Sequence, residues 1–198
     1  MKKLLSALLV SGLLITEVYS QELSKNSLTY GVGFGYVDSE GKSYSGGGPA
    51  IMIGYKRDVW TDRIRFNPNL TIGNYREGLK GNSRDIHFNT VNLNLSFEFD
   101  ILRYKAISFI AETGGLIGST TGLKGTGTEF NSITSGTTTF NESESITHIN
   151  IGAIVGLGLR ISPLKSRYAV KIAPLNYHVG NKGLREIHSF ISLDVKLK

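Results

Sequence analysis

From Thr90 to Ile101 the chain alternates without a break. Val91, Leu93, Leu95, Phe97, Phe99 and Ile101 are apolar, and Thr90, Asn92, Asn94, Ser96, Glu98 and Asp100 between them are polar. Successive side chains of an extended strand leave on opposite faces, so this stretch has one oily face and one wet face. The pattern returns at Ile149, Ile151, Ala153, Val155, Leu157, Leu159 and Ile161, at Ile64, Phe66, Leu70 and Ile72, and at Ile191, Leu193, Val195 and Leu197. Repeated two-residue periodicity of this length predicts an all-β chain.

Eight strands are predicted, at 27–37, 49–58, 63–76, 88–102, 106–119, 145–162, 167–179 and 188–198. Two of them are less regular. Ile110 falls on the wet face of the fifth, and Pro174 interrupts the seventh, where a residue without an amide proton predicts a bulge or a place near an edge. Three connections are short (59–62, 103–105 and 163–166) and four are longer (38–48, 77–87, 120–144 and 180–187). Such asymmetry describes a meander with two unlike rims. The Thr run inside 120–144 is expected either to form a soluble loop or to prolong its strands into a protruding hairpin.

Alternation alone does not say which face points inward. A soluble lipid-binding barrel would be oily inside. Three features favour the opposite. The polar faces carry the charges while the apolar faces are uninterrupted, and the wet faces are crowded with glycine, 24 of which occur in the chain. Aromatic residues also gather near strand ends, with Trp60, Tyr104 and Tyr168 at the short-turn rim and Tyr36, Tyr75, Phe88 and Tyr177 at the long-loop rim. Two such girdles are expected where a barrel crosses both interfaces of a bilayer. A sheet in hydrocarbon has to close on itself, because every backbone N–H and C=O needs a partner there.

The first twenty residues read as an export signal: Lys2 and Lys3, an apolar run from Leu4 to Ile15, then Val18-Tyr19-Ser20 ahead of Gln21. The expected division is a cleaved signal peptide at 1–20, read by the Sec pathway, and a barrel at 21–198. That twelve-residue run, broken by Ser6, Ser11 and Gly12, is too short to span a bilayer as a helix, which needs ~20 residues. The chain has no cysteine, which removes disulfides, thiol nucleophiles and Cys-bound metals. Its net charge of +6 needs no nucleic-acid partner to explain it.

With the signal segment, the eight alternating strands and the unlike rims, the sequence resembles the small OmpA/OmpX-like outer-membrane β-barrels. Its first strand, LTYGVGFGY, and its closing stretch, HSFISLDVKLK, look most like the outer membrane protein beta-barrel domain family common in Bacteroidota. The sequence departs from the group's habit of ending in an aromatic residue, since it ends Leu197-Lys198. The resemblance implies an eight-stranded antiparallel up-and-down transmembrane barrel in the outer membrane of a Gram-negative bacterium. Implied partners are membrane lipid, lipopolysaccharide and the barrel-assembly machinery, with an extracellular ligand for the loops and a monomeric state.

Eight strands leave an interior just wide enough for side chains. The inward face is expected to hold Lys56, Arg63, Arg65, Glu98, Asp100, Glu112, Arg160, Lys171, Asp194 and Lys196 as a mutually paired network. A structural or surface-interaction role follows from a filled lumen; a narrow ion path stays open as an alternative. The other alternative is a lipid A deacylase or acyltransferase built on His87, His148, His178 or His188 with Ser143, Ser145, Ser189, Glu142 or Glu144 nearby, although no spacing among them marks a triad. Gly31, Gly33 and Gly35 alternate and open no helix, so they are not a nucleotide fingerprint. His148 and Asn150 share a face but lack a third ligand. No catalytic residue, metal or cofactor is therefore expected.

Overall fold

The computed structural model describes residues 25–39, 44–60, 62–77, 86–130, 138–163 and 166–197. The predicted signal peptide lies outside them. Eight strands run β1 (Asn26–Ser39), β2 (Tyr44–Asp58), β3 (Ile64–Arg76), β4 (Ile86–Tyr104), β5 (Ile107–Phe130), β6 (Thr138–Ile161), β7 (Tyr168–Gly180) and β8 (Leu184–Lys196). Each pairs antiparallel with its neighbour in sequence, and β8 returns to pair with β1, closing a barrel in the order β1-β2-β3-β4-β5-β6-β7-β8. An even count returns β8 to the rim where β1 began, with Ser27 opposite Lys196.

Six of the eight strands are longer than the alternation predicted, β3 and β7 being the exceptions. Tyr44 to Gly48, expected in a loop, pair with β1, and β5 and β6 run 24 residues each into the expected 120–144 loop. The Thr-rich segment pairs there as a hairpin, Thr126 opposite Glu142 and Thr128 opposite Phe140. β-branched residues suit a pleated surface. Gly46 to Gly48 allow close strand approach: a Cβ on Gly48 would lie 1.9 Å from the Asn74 carbonyl oxygen. Between β7 and β8 sits one short 3-10 turn, Asn181–Gly183, with Gly183 in the left-handed region at φ 73°.

The apolar face points outward. Val91, Leu93, Leu95 and Phe97 of β4 and Val155, Leu157 and Leu159 of β6 are exposed, while Asn92, Asn94, Ser96 and Glu98 between the first set are buried. The greasy-inside soluble barrel is thereby overturned: its oily lining would need those same residues to be covered. The register shifts between Ala173 and Asn176 on β7, where Pro174 and Leu175 both face out. This bulge inverts the alternation. Lys171 and His178, seven residues apart, consequently both point into the barrel.

Candidate functional site

The interior is layered. Nearest the short-turn rim lies a charged layer. Glu98 sits at its centre with no exposed surface, Oε2 accepting from Lys171 Nζ at 2.9 Å and Lys56 Nζ at 3.2 Å, and Oε1 from Arg65 Nη1 at 3.0 Å. Arg65 also grips Asp100 with both terminal nitrogens, at 2.7 and 2.8 Å. Lys171 reaches Glu112 at 2.7 Å, Lys56 reaches Asp194 at 2.9 Å, and Arg160 reaches Asp194 at 3.1 Å. Four cations (Lys56, Arg65, Arg160, Lys171) thus meet four anions (Glu98, Asp100, Glu112, Asp194), all buried. Buried charges persist only when paired and hydrogen-bonded, and the equal count satisfies that demand within the layer.

Two residues expected in this layer lie elsewhere. Arg63 shares the parity of Arg65 but precedes the first residue of β3, so it stands exposed in the turn. Lys196, at the last position of β8, is only half-buried at the rim. Parity assigns a face only while the chain is still in the sheet.

Above the charges comes an amide layer. Asn94 Nδ2 donates to Asn69 Oδ1 at 2.8 Å and to Thr71 Oγ1 at 3.0 Å, while Asn67 Nδ2 and Ser96 Oγ donate to Glu112 Oε1 at 2.9 and 2.6 Å. A cavity of about 20 Å³ lies here, bounded by Asn94, Thr71, Met52, Lys171, Asn176 and His178 among others. That is room for about one water or one ion.

Next stands a group of which the sequence reading named only the two histidines, and those for a different role. His178 of β7 lies directly opposite Glu186 of β8, and His188 lies two residues further on the same face. His178 Nδ1 is 3.0 Å from Glu186 Oε2, which also accepts from Asn92 Nδ2 at 2.9 Å. His188 Nε2 is 2.7 Å from the Tyr75 hydroxyl, and the two imidazoles meet edge to face at 4.9 Å between centroids. Gly35 makes room for this ring, since a Cβ there would lie 2.2 Å from His188 Cδ2. Glu186 and His188 share the inward parity of Phe190, Ser192 and Asp194. That signal was readable, but the predicted start of β8 at 188 left Glu186 in a loop.

At the long-loop end lies an apolar layer of Val37, Tyr44, Tyr75, Ile86, Phe88, Ile146 and Leu184, all buried. Tyr44 and Tyr75 pack on Phe88 with ring centroids 4.9 and 5.4 Å away. Tyr75 and Phe88 were expected in the outer girdle. They instead share the parity of Thr71 and of Thr90 and Asn92, and so point inward. The rest of the expected girdle faces out: Trp60, Tyr104, Tyr168 and Tyr36 are exposed, with Trp60 the most so at 86%, and Tyr177 is half-buried.

The residues named for an enzyme do not converge. His178 and His188 are inside, His87 is exposed, and half-buried His148 stacks on Tyr44. Ser189 is on the outer face, donating to the Pro174 carbonyl at 2.7 Å. Ser145 and Glu144 are exposed, and the side chains of Ser143 and Glu142 lie outside the described ones. The two buried histidines are hydrogen-bonded elsewhere, His178 to Glu186 and His188 to Tyr75.

No protein-family model matches the sequence, and no curated protein does either. Solved structures do. Neisserial surface protein A superposes with a TM-score of 0.53 at 15% identity, over 89% of this chain and all of that one. The attachment invasion locus protein Ail of Yersinia pestis gives 0.50 at 14% identity, over 87% of this chain and 97% of that one, and 0.51 in its complex with the heparin analogue sucrose octasulfate. The fold is that of the small OmpA/OmpX-like outer-membrane β-barrels. At such identities the outer-membrane-type barrel is shared as an architecture, and its cargo or partners are not carried across with it.

Proposed function

We propose that this chain is an integral outer-membrane barrel with a lumen closed by its own side chains, acting as a structural or surface-interaction protein at its long-loop rim. The observation that carries this reading is the outward apolar belt. Tyr30, Val32 and Phe34 of β1, Ile51 and Ile53 of β2, Leu70 and Ile72 of β3, Val91, Leu93, Leu95 and Phe97 of β4, Phe109 and Ile117 of β5, Ile149, Ile151, Val155, Leu157 and Leu159 of β6, Val170 and Ile172 of β7, and Ile187 and Ile191 of β8 are all exposed. Monomeric soluble proteins rarely expose apolar patches beyond a few hundred Å², so hydrocarbon is the environment that suits this surface. Lipid and lipopolysaccharide are then its surroundings, and the barrel-assembly machinery its route of insertion.

The closed lumen rests on the charged layer below and the aromatic layer above, each bridging strands that are not neighbours. Expression in a Gram-negative host, fractionation and a gel with and without boiling test the reading. The expected result is outer-membrane sedimentation, a heat-shifted band and no single-channel conductance in planar bilayers. Recovery in the soluble periplasmic fraction would overturn the location. A well-defined conductance would overturn the closed lumen in favour of a narrow ion path. Unchanged lipid A masses on expression are expected, and a new deacylated or acylated species would restore the enzyme.

A further inference from the structure

Besides its balanced charged layer, the lumen carries one more carboxylate. Glu186 has no exposed surface, and among the described residues the buried Lys and Arg side chains are all engaged below it. Its neighbours are two imidazoles, His178 and His188, each nine-tenths or more buried. One ligand atom from each of the three residues lies within 4.8 Å of the others. Two polar atoms in this group have no hydrogen-bond partner: Glu186 Oε1 and His188 Nδ1. An unpaired buried acceptor is costly, and two such atoms on one small cluster call for something that binds both.

We infer that His178, Glu186 and His188 form a buried site for one divalent transition-metal ion of the zinc class. The chemistry selects the ion. Two imidazole nitrogens and one carboxylate oxygen suit Zn²⁺, Co²⁺ or Ni²⁺, whereas Ca²⁺ and Mg²⁺ take oxygen ligands. The surroundings suit it as well. With Nδ1 of His188 as ligand, its Nε2–H is left to donate to the Tyr75 hydroxyl, the kind of outer contact that fixes a metal-bound imidazole. Asn92 holds Glu186 from across the lumen, and the small cavity that His178 borders has room for a water as fourth ligand. A dication here also supplies the positive charge that Glu186 otherwise lacks. The apolar layer above and the ion pairs below flank the site, so the ion is one held from assembly onward rather than exchanged in passing.

The test uses the full barrel refolded into detergent micelles after stripping with a chelator, once with Zn²⁺ and once with Co²⁺, followed by gel filtration and elemental analysis. The expected result is about one ion retained per folded barrel and a thermal midpoint raised by the metal. Co²⁺ loading should give ligand-field absorption in the visible range. The variants H178Q and H188Q should still show the heat-shifted band but lose at least tenfold in ion retention, together with the Co²⁺ spectrum. If a variant fails to fold, the wild-type spectrum and stoichiometry decide alone. Folded wild type that retains no metal overturns the proposal. Retention unchanged in both variants overturns it too. Neither result bears on membrane location, which fractionation measures separately.

Discussion

Glu98 Oε2 on β4 stands 2.9 Å from Lys171 Nζ on β7, two strands whose backbones never pair. The contact crosses the lumen, and Lys56 from β2 joins it at 3.2 Å. Side chains from three sides of the wall therefore converge on one carboxylate.

Removing that charge should leave several cations facing too few anions. Glu98→Gln is expected to cost about 3–5 kcal/mol, the usual penalty for breaking a buried ion pair from one side. Urea unfolding followed by the heat-shift gel measures it. A loss under 1 kcal/mol would mean that the layer reorganises or admits water, as flagged by the small penalties ~0–1 kcal/mol of solvated pairs.

The outer face predicts a dependence on depth. Val155→Arg, on β6 well inside the exposed apolar belt, should destabilise the barrel in phospholipid vesicles by about 2–4 kcal/mol. Trp60→Arg, in the turn after β2, should cost about 0–1 kcal/mol. Equal effects at the two positions, measured by equilibrium unfolding in the same vesicles, would speak against a bilayer around the belt.

Tyr75 and Phe88 pack inside, and truncating either to Ala should cost about 3–5 kcal/mol, as for other buried aromatics. Tyr36→Ala, on the outer surface, should cost clearly less. The comparison separates an internal plug from an interfacial girdle.

Gly35 is the space that the His188 ring occupies. Gly35→Ala should destabilise by about 1–3 kcal/mol through overpacking against that ring. Gly115, whose added Cβ meets nothing nearer than 3.6 Å, is the control expected to tolerate Ala.

Asp62, in the β2–β3 turn, pairs with Arg103 near the end of β4, both on the exposed surface. The hydrogen bond from Arg103 holds the Asp62 carboxyl below its usual range. Its folded pKa is thus lower than its unfolded one, so the contribution is present above the unfolded value and is lost as pH falls through the folded value. Arg103→Ala should cost about 0–1 kcal/mol at neutral pH, as for exposed pairs, with the difference from wild type vanishing in acid.

Much of this was legible in the chain. Alternation gave the strand number and the two faces because both are local, and eight of the ten charges expected inward by simple counting are buried: Lys56, Arg65, Glu98, Asp100, Glu112, Arg160, Lys171 and Asp194. Tyr75 and Phe88 were assigned by closeness to strand ends, although their parity already matched Thr71 and Thr90. Arg63 shows the opposite limit, since its parity was right but the strand had not yet begun. His178 needed the bulge at Pro174 to be carried through as a change of parity, which a single proline does not announce. The meeting of His178, Glu186, His188 and Tyr75 depends on how far the strands slip past one another around the barrel, and periodicity within one strand contains no such information.

The pairing of Ser27 with Lys196 sets a condition on biogenesis. Until β8 reaches β1, both outer strands carry rows of unsatisfied amides, which hydrocarbon does not tolerate. A half-threaded intermediate is therefore worth little by itself, and the last hairpin to arrive completes the seam for the whole cylinder at once. That hairpin also carries His178, Glu186 and His188, so the closed cylinder is what sets Tyr75 and Asn92 against them.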